Sequence, residues 1–170
     1  MNTLLERFEK KEPQYPLVYE NSIFKRFSEK AAFDQGGLRS DEEVFSGGRF
    51  FSRYYECFIY AAIVGIKAKY SLPFDRAKDG KRFLLIEGWR PKRVTQFLLM
   101  SLLAVSEDNL ESLELLNEQE IDDKALQLVY LLERYAHGGL DLMDKKIKEN
   151  PYYFESAFSM AAFLKEIGTN

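Results

Sequence analysis

The stretch Ser52–Ile66, SRYYECFIYAAIVGI, constrains this chain most, because it is apolar on most faces of a helix except at Arg53 and Glu56. A helix that is hydrophobic almost all round must be packed on several sides, so the segment predicts a central helix with others around it. Its β-branched second half would also suit a strand. Fifteen residues is about three times a typical strand length, and length decides for helix. Ser52 is the expected cap, and Glu56 suits the positive end of the helix dipole.

Around this helix the pattern predicts further helices. Leu4-Leu5-x-x-Phe8 is a short helical segment that stops before Pro13, and Pro13 and Pro16 keep the next stretch extended. Ile23-Phe24-x-x-Phe27 opens a second amphipathic helix running toward Phe33 and ended by Gly36-Gly37, and 34–48 reads as a loop. The division expected is a peripheral helical arm over 1–40 and a helical core domain over 41–170. Residues 67–82 form a polar loop with Pro73 and the turn Asp79-Gly80. Phe83–Ile86 suits one strand or a buried turn. Pro91 fits the first position of the helix that follows Trp89.

Ser106 is the expected cap of an acidic helix to Leu116. Asp122 or Asp123 should open a longer helix that His137-Gly138-Gly139 punctuates. Leu140, Met143 and Ile147 continue to Asn150-Pro151, and a last helix spans Tyr152–Ile167 with Gly168 as its left-handed cap. The fold class expected is mainly α, an irregular or orthogonal helical bundle with room for one minor β-hairpin near residues 70–88.

Several classes of function fit poorly. One cysteine, Cys57, excludes a disulfide framework within the chain. The start, MNTLLERFEKKEP, lacks an apolar h-region, and no run approaches the roughly 20 apolar residues of a bilayer span, so a cytoplasmic protein without membrane contact is expected. His137 is the lone histidine, which excludes sites built on two. Gly47-Gly48 and Gly138-Gly139 lie in no phosphate-loop pattern. Cys57 lies in the most apolar segment, where an inert buried thiol is expected, and a Cys57–His137 dyad has no oxyanion feature beside it. The carboxylates Glu118, Glu120, Asp122 and Asp123 read as a solvated helix start. No catalytic residue, cofactor or metal is predicted.

Charge is unevenly spread despite a net charge of −3. Nine basic residues (Lys67, Lys69, Arg76, Lys78, Lys81, Arg82, Arg90, Lys92 and Arg93) face three acidic ones across 67–93. Eight acidic residues face one lysine across 106–124. Tyr70, Phe74 and Trp89 are interspersed with the cations, the combination that single-stranded nucleic acid uses for stacking and phosphate neutralisation. The plainer reading is that basic and acidic segments neutralise each other, within one chain or across an oligomer interface, while those rings anchor the loop. A second cluster, Arg49-Phe50-Phe51-x-Arg53-Tyr54-Tyr55, reads either as a cationic aromatic edge for a partner or as the entry to the buried helix. The candidate contacts are therefore Arg49, Arg53, Trp89 and the nine basic residues.

Two stretches carry a resemblance. Val44-Phe45, then Phe58-Ile59-Tyr60-Ala61-Ala62-Ile63-Val64-Gly65 to Leu72-Pro73, is one, and Leu132-Glu133-Arg134-Tyr135-Ala136-His137-Gly138-Gly139-Leu140 is the other. They resemble the small accessory proteins encoded beside bacterial DNA phosphorothioation systems, the Dnd-associated group. Their Ala and Gly residues specify close helix approach, with Gly139 suited to end a helix. The resemblance implies a non-catalytic component of a DNA modification or phage-defence locus and supplies no catalytic residue. The first 40 residues have no counterpart in it. The expected function is an accessory protein with a protein partner. Direct nucleic-acid binding through 67–93 and self-association are the alternatives.

Overall fold

The computed structural model describes residues 2–30 and 49–168. Among the described residues the chain is mainly α, with two small two-stranded β elements. Strand β1 (Gln14–Pro16) pairs with β4 (Gly80–Arg82), so the minor β element falls within 70–88 and its partner comes from far upstream. Strand β2 (Ser28–Lys30) pairs in parallel with β3 (Phe51–Arg53). The boundary suggested near residue 40 lies outside the described residues. The described residues group into two compact units, residues 1–14 with 82–133 and residues 15–81 with 134–170.

The first unit contains α1 (Asn2–Glu9), α5 (Lys92–Val105), the short α6 (Leu110–Leu113) and the first half of α7 (Glu118–Glu149). Its core is Leu4 and Phe8 of α1, Phe83, Ile86 and Trp89 of the connecting segment, Leu98, Leu99, Leu102 and Leu103 of α5, and Ala125, Leu128, Val129 and Leu132 of α7. Asn109 caps α6 through its Oδ1, which accepts the Glu111 N–H at 3.0 Å. Ser106 instead closes α5, its N–H donating to the Leu102 carbonyl at 2.9 Å. It therefore cannot begin the acidic helix expected there.

Helix α7 starts earlier than Asp122. Asn117 and Glu120 form a reciprocal capping box: the Asn117 N–H donates to Glu120 Oε2 at 2.8 Å and the Glu120 N–H to Asn117 Oδ1 at 3.0 Å. Two orphan donors are satisfied at once, which fixes the start at Glu118.

The second unit is built on α3 (Tyr54–Ala68), the second half of α7 and α8 (Ser159–Glu166). As expected of a central helix, α3 buries Tyr54, Tyr55, Cys57, Phe58, Ile59, Ala61, Ala62, Val64 and Gly65. Ser52 is not its cap, because it lies in β3. Glu56 reaches back instead, accepting the Ser52 N–H at 2.7 Å and the Arg53 N–H at 3.3 Å. The α7 helix runs unbroken through Gly138-Gly139, contrary to the helix end read from sequence. A Cβ on Gly139 would lie 1.8 Å from the Ala61 carbonyl oxygen, one on Gly65 2.0 Å from that of Tyr135, and one on Gly138 2.1 Å from that of Tyr70. These glycines let two backbones touch.

The helix expected from Ile23 is a π-helical turn, Glu20–Phe24, followed by α2 (Lys25–Phe27), and it gives way to β2. Its continuation to Gly36-Gly37 lies outside the described residues, as does the 34–48 loop. Phe27, Phe154 and Phe163 pack edge to face, and Tyr60 Oη donates to the Met160 carbonyl at 2.7 Å, seating α8. The last helix starts at Ser159 instead of Tyr152, because a 3₁₀ turn at Tyr153–Glu155 intervenes. Gly168 does take the left-handed conformation, φ +81°.

Candidate interaction surface

The candidate residues divide between the units. Arg49, Arg53, Lys67, Lys69, Arg76, Lys78 and Lys81 belong to the second unit, whereas Arg82, Trp89, Arg90, Lys92 and Arg93 belong to the first. Short helix α4 (Arg76–Asp79), capped by Asp75, organises part of the loop expected to be irregular. Lys67, Lys69, Lys78 and Lys81 are exposed, while Arg49, Arg53 and Arg76 are half-buried. Lys67 Nζ donates to the Leu164 carbonyl, tying α8 to α3. Lys69 ends α3 in the left-handed conformation, φ 51°. Lys81 pairs with Glu20 at 2.5 Å. Burial raises the Glu20 carboxyl, but hydrogen bonds from Lys81 and Tyr15 outweigh it, and its pKa is lowered.

Lys78 stands on the rim of an open groove of about 370 Å³ lined by Pro16, Leu17, Val18, Phe74, Asp79 and His137.

In the first unit the cations gather at the start of α5. Arg90 Nη1 and Lys92 Nζ both donate to the Glu87 carbonyl, at 2.8 and 2.7 Å, and Arg93 follows on the exposed side. Their charge adds to the positive end of the helix dipole. The ion pairs of this basic run go to the N-terminal segment: Lys92 to Glu9 at 3.4 Å and Arg82 to Glu12 at 3.5 Å. In the acidic stretch Glu118 meets Arg7 at 3.9 Å, Asp122 meets Lys11 at 2.7 Å and Asp108 meets Lys124 at 2.5 Å. Among the described residues, Glu107, Glu111 and Glu114 make no ion pair, and neither does Arg93.

The rings behave as anchors. Trp89, read from sequence as a candidate contact, is completely buried and meets Phe83 edge-on at 6.4 Å between centroids. A side chain with no accessible surface offers no stacking face, so Trp89 is a core residue. Tyr70 Oη donates to Asp141 Oδ2 at 3.0 Å, and Phe74 sits edge-on to His137 at 5.7 Å. Phe158 and Tyr152 in the second unit and Phe97 in the first are exposed aromatics that sequence reading missed. Phe97 is 55% exposed and Met100 48% exposed, on the face of α5 opposite its buried leucines. The signal is the spacing of Arg93, Phe97, Met100 and Ala104, which shares one helical stripe. It is hidden by the apolar character of the whole segment.

Cys57 and His137 both lie in largely apolar settings. Cys57 is fully buried, and burial pushes its thiol far up. His137 lies between the rings of Tyr19 and Phe74, each 5.7 Å away. Burial holds its pKa below the ordinary 6.5, although the backbone of Leu72 and Pro73 and the Asp141 carboxylate pull the other way. Among the described residues no cluster of three or more His, Cys, Asp or Glu side chains is placed to hold a metal ion. No helix there is long and apolar enough to cross a membrane.

Residues 36–165 match the family described as DNA sulphur modification system-associated protein 4. The chain belongs to this family. The matched span includes the whole of α3, with Ala61 and Gly65, and of α7, with Gly138 and Gly139, so the close helix contact lies inside the family region. It begins after α1, β1 and the π-helical turn, in keeping with a resemblance that found no counterpart for the first 40 residues. No curated protein and no solved structure matches the chain.

Proposed function

We propose that this protein is a non-catalytic accessory component of a bacterial DNA sulphur modification system, working in the cytoplasm by contact with another protein of that system. The observation that carries the reading is the set of exposed cations at the start of α5, Arg90, Lys92 and Arg93, beside the exposed Phe97. Arginine and aromatic side chains at the centre of a contact supply most of its energy. The buried Cys57 and the ring-flanked His137 support an adaptor without turnover. Membership of the family supports the assignment to a DNA sulphur modification system.

Capture of the other proteins of its locus tests this. The wild type should retain one of them, and a variant with Lys81, Arg82, Arg90 and Arg93 reversed in charge should lose it while keeping its helical circular dichroism. Retention that survives those reversals overturns the reading.

A second reading, direct binding to nucleic acid, is favoured by the same cations and by the positive end of α5. It predicts affinity that falls with salt at a log–log slope of about 0.9 per phosphate contact. Anisotropy of labelled single- and double-stranded DNA measures this, and salt-independent binding counts against it.

A further inference from the structure

We infer that the outer face of α5 is covered by a second copy of this chain, whose acidic segment 107–118 lies against it. Two surfaces of the first unit lead to this. The first is the α5 stripe, in which Arg93 precedes the half-exposed Phe97 and Met100. The second is the segment around α6, where Leu115 is 86% exposed and Leu110 49% exposed among Glu107, Glu111 and Glu114. One surface is basic and apolar and the other acidic and apolar, and they share a unit without neutralising each other. Arg93 and the three glutamates are without ion pairs among the described residues, whereas neighbouring Lys92, Asp108 and Asp122 are all paired.

Both surfaces carry what a partner would need, large apolar side chains flanked by unneutralised charge. A two-fold arrangement uses each surface twice, α5 of one copy against the acidic segment of the other and the reverse. The contact then buries Phe97, Met100, Leu110 and Leu115 of both copies. This inference does not rest on the proposed accessory role; both contacts use Arg93 and Phe97 and compete for that face, and E111K/E114K, which leaves that face unchanged, separates the two.

The test uses the full chain in sedimentation velocity at about 50 µM, where a contact of micromolar strength is largely filled. The wild type should be a dimer that weakens as salt rises. R93E/Q96E and E111K/E114K change exposed side chains that have no ion-pair partners, and each should be monomeric. An equimolar mixture of the two variants should recover the dimer, because the reversed charges again face their opposites. Phe97→Ser should weaken association by about tenfold or more with the charges intact.

A monomer at low salt overturns the inference, as does a dimer that both charge variants leave intact or a mixture that stays monomeric. DNA binding that E111K/E114K strengthens in a monomeric protein assigns the face to nucleic acid instead. A wild type that dimerises but retains no protein of the locus counts against the proposed function alone.

Discussion

The two units are held together by different means. In the second, α3 and the end of α7 approach until Gly139 and Gly65 leave no room for a β-carbon, and aromatic rings fill the space around them. In the first, leucines form the core; ion pairs bind the edges of both units, Lys11–Asp122 and Lys92–Glu9 in the first and Lys81–Glu20 and Lys146–Glu166 in the second, and both leave large apolar side chains outside, Phe97 and Leu115 in the first and Val18 and Phe158 in the second. Close packing at the helix contact leaves the second unit little tolerance for change there, whereas the leucine core of the first can lose a side chain to a cavity. Each unit also carries its own reporter. The single tryptophan, Trp89, is in the first and the single cysteine, Cys57, in the second, and both are buried. Tryptophan fluorescence and thiol alkylation therefore follow the two units separately.

The largest effect should come from the helix contact. Gly139→Val places side-chain carbon where a carbonyl oxygen already sits, and should destabilise the second unit by about 4 kcal/mol or more. Cys57 alkylation in urea reads this out. A midpoint close to wild type would break the comparison at its base. Leu98→Ala in the first unit should cost about 2 to 4 kcal/mol through the cavity it leaves, seen in Trp89 fluorescence. If both reporters shift together in each variant, the units unfold as one and the contrast is confined to how each is packed.

Acid should sharpen the contrast. His137 has a folded pKa below 6.5, so the unfolded chain binds the proton more readily. Its contribution is fully present above pH 6.5 and is lost as pH falls from there toward the folded value. Replacing His137 with Asn should flatten the stability curve in that window. Asp122 behaves in the same sense, in a more acidic window. The Lys11 hydrogen bond is the main reason its pKa is lowered, so its contribution stands above 3.8 and disappears only as pH falls through the folded value. Urea titrations between pH 7 and pH 3 with both reporters measure the two windows.

Smaller effects follow at the helix ends and surface. Glu56→Gln weakens the acceptor of two N–H groups and should cost about 1 kcal/mol, read from Cys57 alkylation in urea. Phe97→Ser should change stability by less than about 0.5 kcal/mol, because its ring is already more than half exposed. A larger loss in thermal unfolding of dilute protein would show that Phe97 belongs to the core and remove the docking face.

By itself the sequence determined the helical class, the central place of α3, the extended stretch held by Pro13 and Pro16, the left-handed Gly168 and the burial of Cys57. These follow from period, length and local backbone preference, which act over a few residues. It also carried the family, through small residues spaced for close helix contact. Only the tertiary structure decided what Gly138-Gly139 does, since a glycine pair that ends one helix looks the same as a pair that admits another backbone. It likewise sent Trp89 inward and Phe97 outward, and divided the basic run between two units. Each of those outcomes depends on which face of a helix a distant segment covers, and no local pattern records that.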